Sequence, residues 1–236
     1  LGLVARSPLA PLLGGAALSG AVAASDATAW LAEEPAAASM IRIGDAALAL
    51  DPISSSGVQK AVQSALSGAI VANTLLHRPA MAGPAIAFHA ASLRHAAERH
   101  AAWAGEHYAT AAQSRPDPFW QSRARAPAAP VADLAPLPLD ETVTLSPGAR
   151  LVETPCLGAR FVELRAALVH PALAEPVAYL GGQALAPLLD FTAPVRLAEL
   201  VANWSLRMPA PAAHAIAQWL CRRGVLVPTL RMGAAA

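Results

Sequence analysis

Residues 44–59 read GDAALALDPISSSGVQ, and this segment narrows the possible folds of the chain more than any other. The β-branched run at 41–43 ends in Gly44-Asp45, the pattern of a buried strand that stops where its backbone must approach something closely. Asp45 supplies a carboxylate that can accept hydrogen bonds, and Ala46 and Ala47 keep the adjacent space free. Pro52 stiffens the next turn, after which Ser54, Ser55, Ser56 and Gly57 open a helix. The first amides of a helix have no intrahelical acceptors. With the positive end of the helix dipole, they suit an anion or an electron-rich ring edge.

Apolar residues then recur at Val58, Val62, Ala65, Leu66, Ala69, Ile70 and Leu76, a spacing that predicts a helix from about 57 to just before Pro79. A second long helix is expected over about 85–113, with Phe88, Leu93, Trp103 and Tyr108 among many alanines. Residues 115–139 turn to proline, alanine and scattered charge, which predicts an extended linker over the surface. Beyond it, 142–145 and 161–164 read as short strands or element starts, and 177–180 is a further apolar run. The tail carries helical patterns near 196–206 and 210–222, followed by Gly224 and the β-prone run 225–227. Helix, helix and short strand outline a winged-helix-like unit. The expected fold class is α/β, rich in α.

Composition excludes several classes. A chain of 236 residues with 55% hydrophobic content is long enough for one large or two small domains with real cores. Much of that apolar content is alanine, and Pro8, Pro11 and several glycines interrupt the most apolar stretch, so no membrane span is expected. The net charge of +1 offers no bulk attraction to nucleic acid or anionic lipid. Cys156 and Cys221 fit no metal-ligand spacing and no disulfide framework, so a cytoplasmic protein is expected. Residues 6–24 imitate a secretory signal in outline, but a chain that opens at Leu1 points instead to material upstream.

GDAA followed by DP and a small-residue S-x-G turn resembles the second FAD motif of the p-hydroxybenzoate hydroxylase superfamily. The SSSGV version, with DP immediately before it, is similar to the flavin-dependent halogenase branch and to its relatives in quinone-cofactor maturation. The resemblance implies FAD as cofactor, with Asp45 on its ribityl or pyrophosphate portion and Pro52 near the reactive face of the isoalloxazine. Gly44 and Asp51 are further cofactor-binding candidates of the same motif. Backbone groups of Ser55, Ser56, Gly57 and Val58 would meet the pyrimidine edge, where negative charge gathers on reduction.

On that basis residues 1–115 are expected to be the C-terminal part of an FAD-binding domain. Residues 116–140 form the linker, and 141–236 a mixed domain ending in the winged-helix-like unit. The G-x-G-x-x-G turn with which such proteins grip the ADP half occurs nowhere in the sequence, so a fragment is expected. The lysine that halogenases carry upstream, and their Trp-containing motif, have no counterpart here. The one lysine, Lys60, is expected to be solvated or near phosphate.

The resemblance implies hydroxylation of an aromatic substrate, including a side chain within a peptide, with reduced flavin or NAD(P)H as electron source. The alternatives are a flavin-dependent halogenase and a non-catalytic protein-binding module. No residue is assigned a catalytic role. His89, His95, His100 and His107 lack i, i+4 spacing and an acidic partner pattern, so no metal site is expected. Trp103, Tyr108, Phe119 and Trp120 read as core or interface packing. Arg207, Arg222, Arg223 and Arg231 are possible phosphate contacts, yet the helix at 210–222 offers only His214 and Gln218 to read bases, so nucleic acid is not an expected partner. A peptide docked on the tail, with pairing to the strand after Gly224, suits the unit better.

Overall fold

The structure is a computed structural model that describes residues 25–126 and 133–229, together with positions 6, 8, 10–14, 20, 21 and 23. Positions 7, 9, 15–19, 22 and 24 of the signal-like stretch, and Arg231, lie outside the described residues.

Two short antiparallel pairings lead into the helices. β1 (Trp30–Leu31) pairs with β4 (Leu48–Ala49), and β2 (Ala36–Ala37) with β3 (Met40–Ile41). The expected strand at 41–43 is therefore only partly regular, because Gly44 takes φ +56 and Gly44–Ala46 coil into a 3-10 turn. α1 (Gly57–His77) and α2 (Ala82–Ser114) follow as a hairpin. α1 starts and stops where the sequence predicts. Pro84 falls in the first turn of α2, where a missing amide proton costs nothing, so that helix begins earlier than its apolar spacing indicates.

The stretch read as an extended linker behaves differently. Asp117 caps α3 (Pro118–Arg123) by accepting the Phe119 amide at 2.8 Å, with Pro118 preset for the first helical position. Further on, the Leu134 amide donates to the Arg222 carbonyl and the Gln218 side chain donates to the Leu137 carbonyl, both at 2.9 Å. The described parts of 116–140 are thus docked at both ends. Scattered prolines removed the periodicity that would have revealed this.

β5 (Thr142–Leu145) is the centre of a three-stranded antiparallel sheet. β6 (Arg150–Leu157) and β7 (Val162–Val169) form an eight-residue hairpin, and β8 (Tyr179–Leu180) pairs with β9 (Gln183–Ala184). β10 (Val195–Arg196) leads into α4 (Leu197–Ser205) and α5 (Ala210–Arg222), and β11 (Leu226–Pro228) returns to pair with β5 on the side opposite β10. The left-handed Gly224, φ +66, turns the chain from α5 into β11. The tail elements match the sequence expectation closely.

The largest core lies here. Val143, Leu168, Leu185, Leu197, Leu220, Val225 and Leu226 are almost fully buried against Trp204, Met208 and Ile216. At roughly 1.5–3 kcal/mol for each buried large apolar side chain, this cluster is the main source of cohesion in the second half. The first half is more thinly packed. Ala47, Leu48 and Leu93 join β4 to α2, while Val71, Ala85 and Val162 join both helices to the hairpin. One face of α1 carries Val58, Val62 and Leu66 into solvent.

The halves are tied by specific polar contacts. Thr74 on α1 is fully buried and accepts the Val162 amide at 2.8 Å, and Asn73 donates to the Arg160 carbonyl at 2.8 Å. His95 and Arg99 on α2 both reach Glu175. The chain is a mixed α/β structure in which α1 and α2 contact both the motif turn and the β6–β7 hairpin.

Candidate functional site

The turn after β3 is clamped onto the helices by three polar side chains that bind its backbone. The Gly44 amide donates to Ser64 Oγ at 2.9 Å, and Ser64 Oγ donates to the Ala61 carbonyl at 2.9 Å. His89, 1% exposed, holds the Arg42 carbonyl through Nε2 at 2.9 Å, which makes Nε2 the protonated nitrogen. The third clamp is Lys60. Its side chain is only 9% exposed, and its ammonium lies 2.7 Å from Asp45 Oδ1 while also donating to the Leu48 carbonyl. The expectation of a solvated Lys60 is therefore corrected. Its position one helical turn inside α1 aims the four-carbon stem at the 3-10 turn, where two acceptors replace water.

Asp51 organises the second turn. Its Oδ1 accepts the Ile53 amide at 3.0 Å, capping the 3-10 turn Pro52–Ser54, and its Oδ2 accepts the Tyr108 hydroxyl at 2.7 Å. The Asp51 carbonyl takes a hydrogen bond from His100 at 3.1 Å. Burial, then the bond to Asp51, pushes the Tyr108 phenol above its ordinary pKa. Ser54 and Ser56 share a hydroxyl contact at 2.6 Å, which leaves Ser55 to turn the corner at φ 51 and ψ 20. Among the described residues, Ser55 is the one non-glycine with positive φ. Such a conformation costs of order 1–3 kcal/mol and persists where neighbours over-determine it.

α1 then opens without a side-chain cap at Ser56. The amides of Gly57, Val58 and Gln59 have no acceptor among the described residues, and nothing stands within 4 Å of where a Gly57 Cβ would lie. Val58 is 80% exposed. The helix start presents free donors to open space.

Beside this turn lies a cavity of about 630 Å³ between β1, β4, α2 and α3. Its back is a strip of small residues on α2, Ala97, Ala101, Ala104 and Gly105, and its walls include Trp30, Pro52, Tyr108 and Phe119. Asp26 and Arg123 also line it. Tyr108 sits among aromatic neighbours, with ring centroids 6.4 Å from Phe119 and 5.8 Å from Trp120. Tyr108 and Phe119, for which packing is the favoured reading of the sequence and a substrate cavity the alternative, line this space. Trp30 escaped the sequence reading, since one aromatic in an alanine-rich run carries no periodic signal.

Thus Asp51 and Pro52 belong to the cavity wall, Ser55 to Val58 form the exposed corner and helix start, and Gly44 and Asp45 are bound to α1 from the other side through Ser64 and Lys60. The four histidines of α2 do not converge. His89 and His100 bind backbone carbonyls of the turns, His95 meets Glu175, and His107 bonds the Trp103 carbonyl.

The fold is shared with two solved enzymes. The structure aligns with the peptidyl tryptophan dihydroxylase QhpG, described as essential for tryptophylquinone cofactor biogenesis, over 94% of this chain and 50% of that one, with 28% identity and a TM-score of 0.67. The chain resembles the flavin-dependent hydroxylase and halogenase branch. CmlS, a flavin-dependent halogenase, shares the fold over 96% of this chain and 51% of its own, with 18% identity and a TM-score of 0.64. The chain therefore spans about half the length of each. No protein-family model matches it, and no curated protein does. The resemblance agrees with the branch indicated by the motif at residues 44–59. Among the described residues, no helix is long and apolar enough to cross a membrane.

Proposed function

We propose that this chain is part of an FAD-dependent monooxygenase that hydroxylates an aromatic substrate, with a peptidyl side chain as the favoured form. One observation carries the reading: Pro52 belongs both to the turn that leads into the uncapped start of α1 and to the wall of the aromatic-lined cavity. A cofactor edge received by the free amides would thereby adjoin a slot suited to a planar ring.

The residues present fit such a cofactor. Gly44 supplies a left-handed backbone close to α1, the space around Gly57 is open, and the amides at 57–59 are free donors. In this reading Asp45 accepts from the ribityl or pyrophosphate portion, and Ser55, Ser56, Gly57 and Val58 meet the pyrimidine edge. Asp51 and Pro52 border the reactive face. The cofactor would supply oxygen activation once reduced by NAD(P)H or by a reduced-flavin partner. The chain's own part is to bind, to favour negative charge at the start of α1, and to hold the substrate ring against the small residues of α2.

The proposed organisation is a cofactor-binding portion over 1–115, a connecting stretch over 116–140 and a mixed unit over 141–236, with the G-x-G-x-x-G segment supplied from outside this sequence. The helix pair and three-stranded sheet of the last unit, read as winged-helix-like, are proposed to dock the peptide. The outer edge of β11 is short and ends at Pro228, so docking by groove contacts suits it better than strand pairing.

Halogenation is the second reading, because the same free amides suit a halide. The test is to express the complete open reading frame, record flavin absorbance, and offer a tryptophan-containing peptide or free tryptophan in the presence of bromide. Added oxygen in the mass spectrum supports the monooxygenase and added bromine the halogenase. No bound flavin in the complete protein would leave the non-catalytic binding module.

A further inference from the structure

A buried lysine beside an exposed carboxylate is an uncommon arrangement. Lysine is rarely taken out of water unless partners replace its hydration. Here the Lys60 side chain is 9% exposed, while its partner Asp45 is 79% exposed, at a separation of 2.7 Å. Among the described residues the other carboxylate oxygen of Asp45 has no partner. The pair thus has a fixed inner half and a free outer half. The ammonium also bonds the Leu48 carbonyl, so one side chain joins α1, the 3-10 turn Gly44–Ala46 and the first residue of β4.

We infer that Lys60 is a positioning residue: it holds one oxygen of Asp45 so that the other faces outward to accept a hydroxyl from the ligand. The inference rests on the flavin reading above and adds to it a residue of this chain. An exposed aspartate left to itself samples several rotamers, and its carboxylate orientation is lost to entropy on binding. A charge-assisted bond to an immobilised ammonium removes that freedom in advance. Ser64 and His89 fix the same stretch through the Gly44 amide and the Arg42 carbonyl, so Lys60 is the clamp that reaches the side chain rather than the backbone alone.

The test is a double-mutant cycle on FAD affinity in the complete protein, with wild type, K60M, D45N and K60M/D45N, each accompanied by a thermal melt. Each single variant is expected to weaken FAD binding by about tenfold, with the double variant no weaker than either, because both remove the same oriented acceptor. Losses that multiply, or K60M binding FAD as wild type does, would overturn the inference while leaving the flavin reading intact. A wild-type protein that binds no FAD overturns that reading and this inference together. If K60M does not fold, K60Q keeps a donor for the Leu48 carbonyl without the charge, and the same cycle applies. A drop in melting temperature with unchanged FAD affinity would reduce Lys60 to a structural clamp and overturn the proposal.

Discussion

The Tyr108 hydroxyl donates to Asp51 Oδ2 at 2.7 Å, and through this bond the C-terminal part of α2 holds the turn from which α1 starts. Asp51 also caps that turn, so a single carboxylate links the aromatic cluster of α2 and α3 to the strained corner at Ser55.

Tyr108→Phe keeps the ring packing and removes only the hydroxyl. Hydrogen bonds to charged groups contribute more than neutral ones, so a loss of about 1–2 kcal/mol is expected by urea denaturation. Under the flavin reading, the variant should also raise KM for the aromatic substrate, since Tyr108 lines the cavity. An unchanged urea midpoint would show that the bond adds no net stability.

Gly105→Ala tests how the end of the cavity is closed. A Cβ there would lie 2.6 Å from the Arg125 Cβ, and the Arg125 amide donates to the Gly105 carbonyl at 3.1 Å. Alanine favours the helix by up to about 1 kcal/mol, so α2 persists and the segment after α3 is displaced instead. Trypsin cleavage after Arg123 and Arg125 is expected to accelerate several-fold with little change in melting temperature. Unaltered cleavage would mean that the segment shifts without detaching.

Thr74→Val leaves the buried Val162 amide without its acceptor while matching the size of the side chain. An unsatisfied buried donor costs about 1–3 kcal/mol, and a destabilisation in that range is expected, with Thr74→Ser milder. Hydrogen exchange should locate the loss at the junction of α1 and the β6–β7 hairpin. Equal effects of valine and serine would assign the contribution to packing.

Cys221 is almost fully buried, and burial pushes its thiol up to about 11 from 9.0. Because the folded-state pKa is raised, its contribution to stability is fully present below about 9 and is lost as pH rises toward about 11. Unfolding free energy is expected to fall across that window, and Cys221→Ala should flatten the decline. Cys156, whose thiol is only half-buried, should react with a thiol reagent in the native protein, whereas Cys221 should react only on unfolding. Equal native rates would contradict the packing of α5.

Much of the architecture was legible because it is written in local chemistry. The limits of α1 follow from the serine and glycine turn before it and Pro79 after it, and the tail helices follow from their apolar spacing and Gly224. The candidate site was legible to the same extent, since Asp45, Asp51, Pro52 and the small-residue corner identify themselves by type and order. Residues 116–140 were misjudged because α3 depends on one capping aspartate and on aromatic packing, neither of which produces a repeat.

The sequence by itself determined the turn and helix-start arrangement, the free donors it creates and the branch of flavoproteins it resembles. Propensity, capping and glycine conformations act over a few residues and can be read along the chain. Tertiary structure alone decided that Lys60 is buried against Asp45, that Tyr108 holds Asp51, and that Trp30 and Phe119 face the same cavity as Pro52. Those relations depend on which faces of α1 and α2 meet the turns. Burial and partnership are properties of the packed chain, where removal from water sets the cost of a charge and a second residue far along the chain supplies what offsets it.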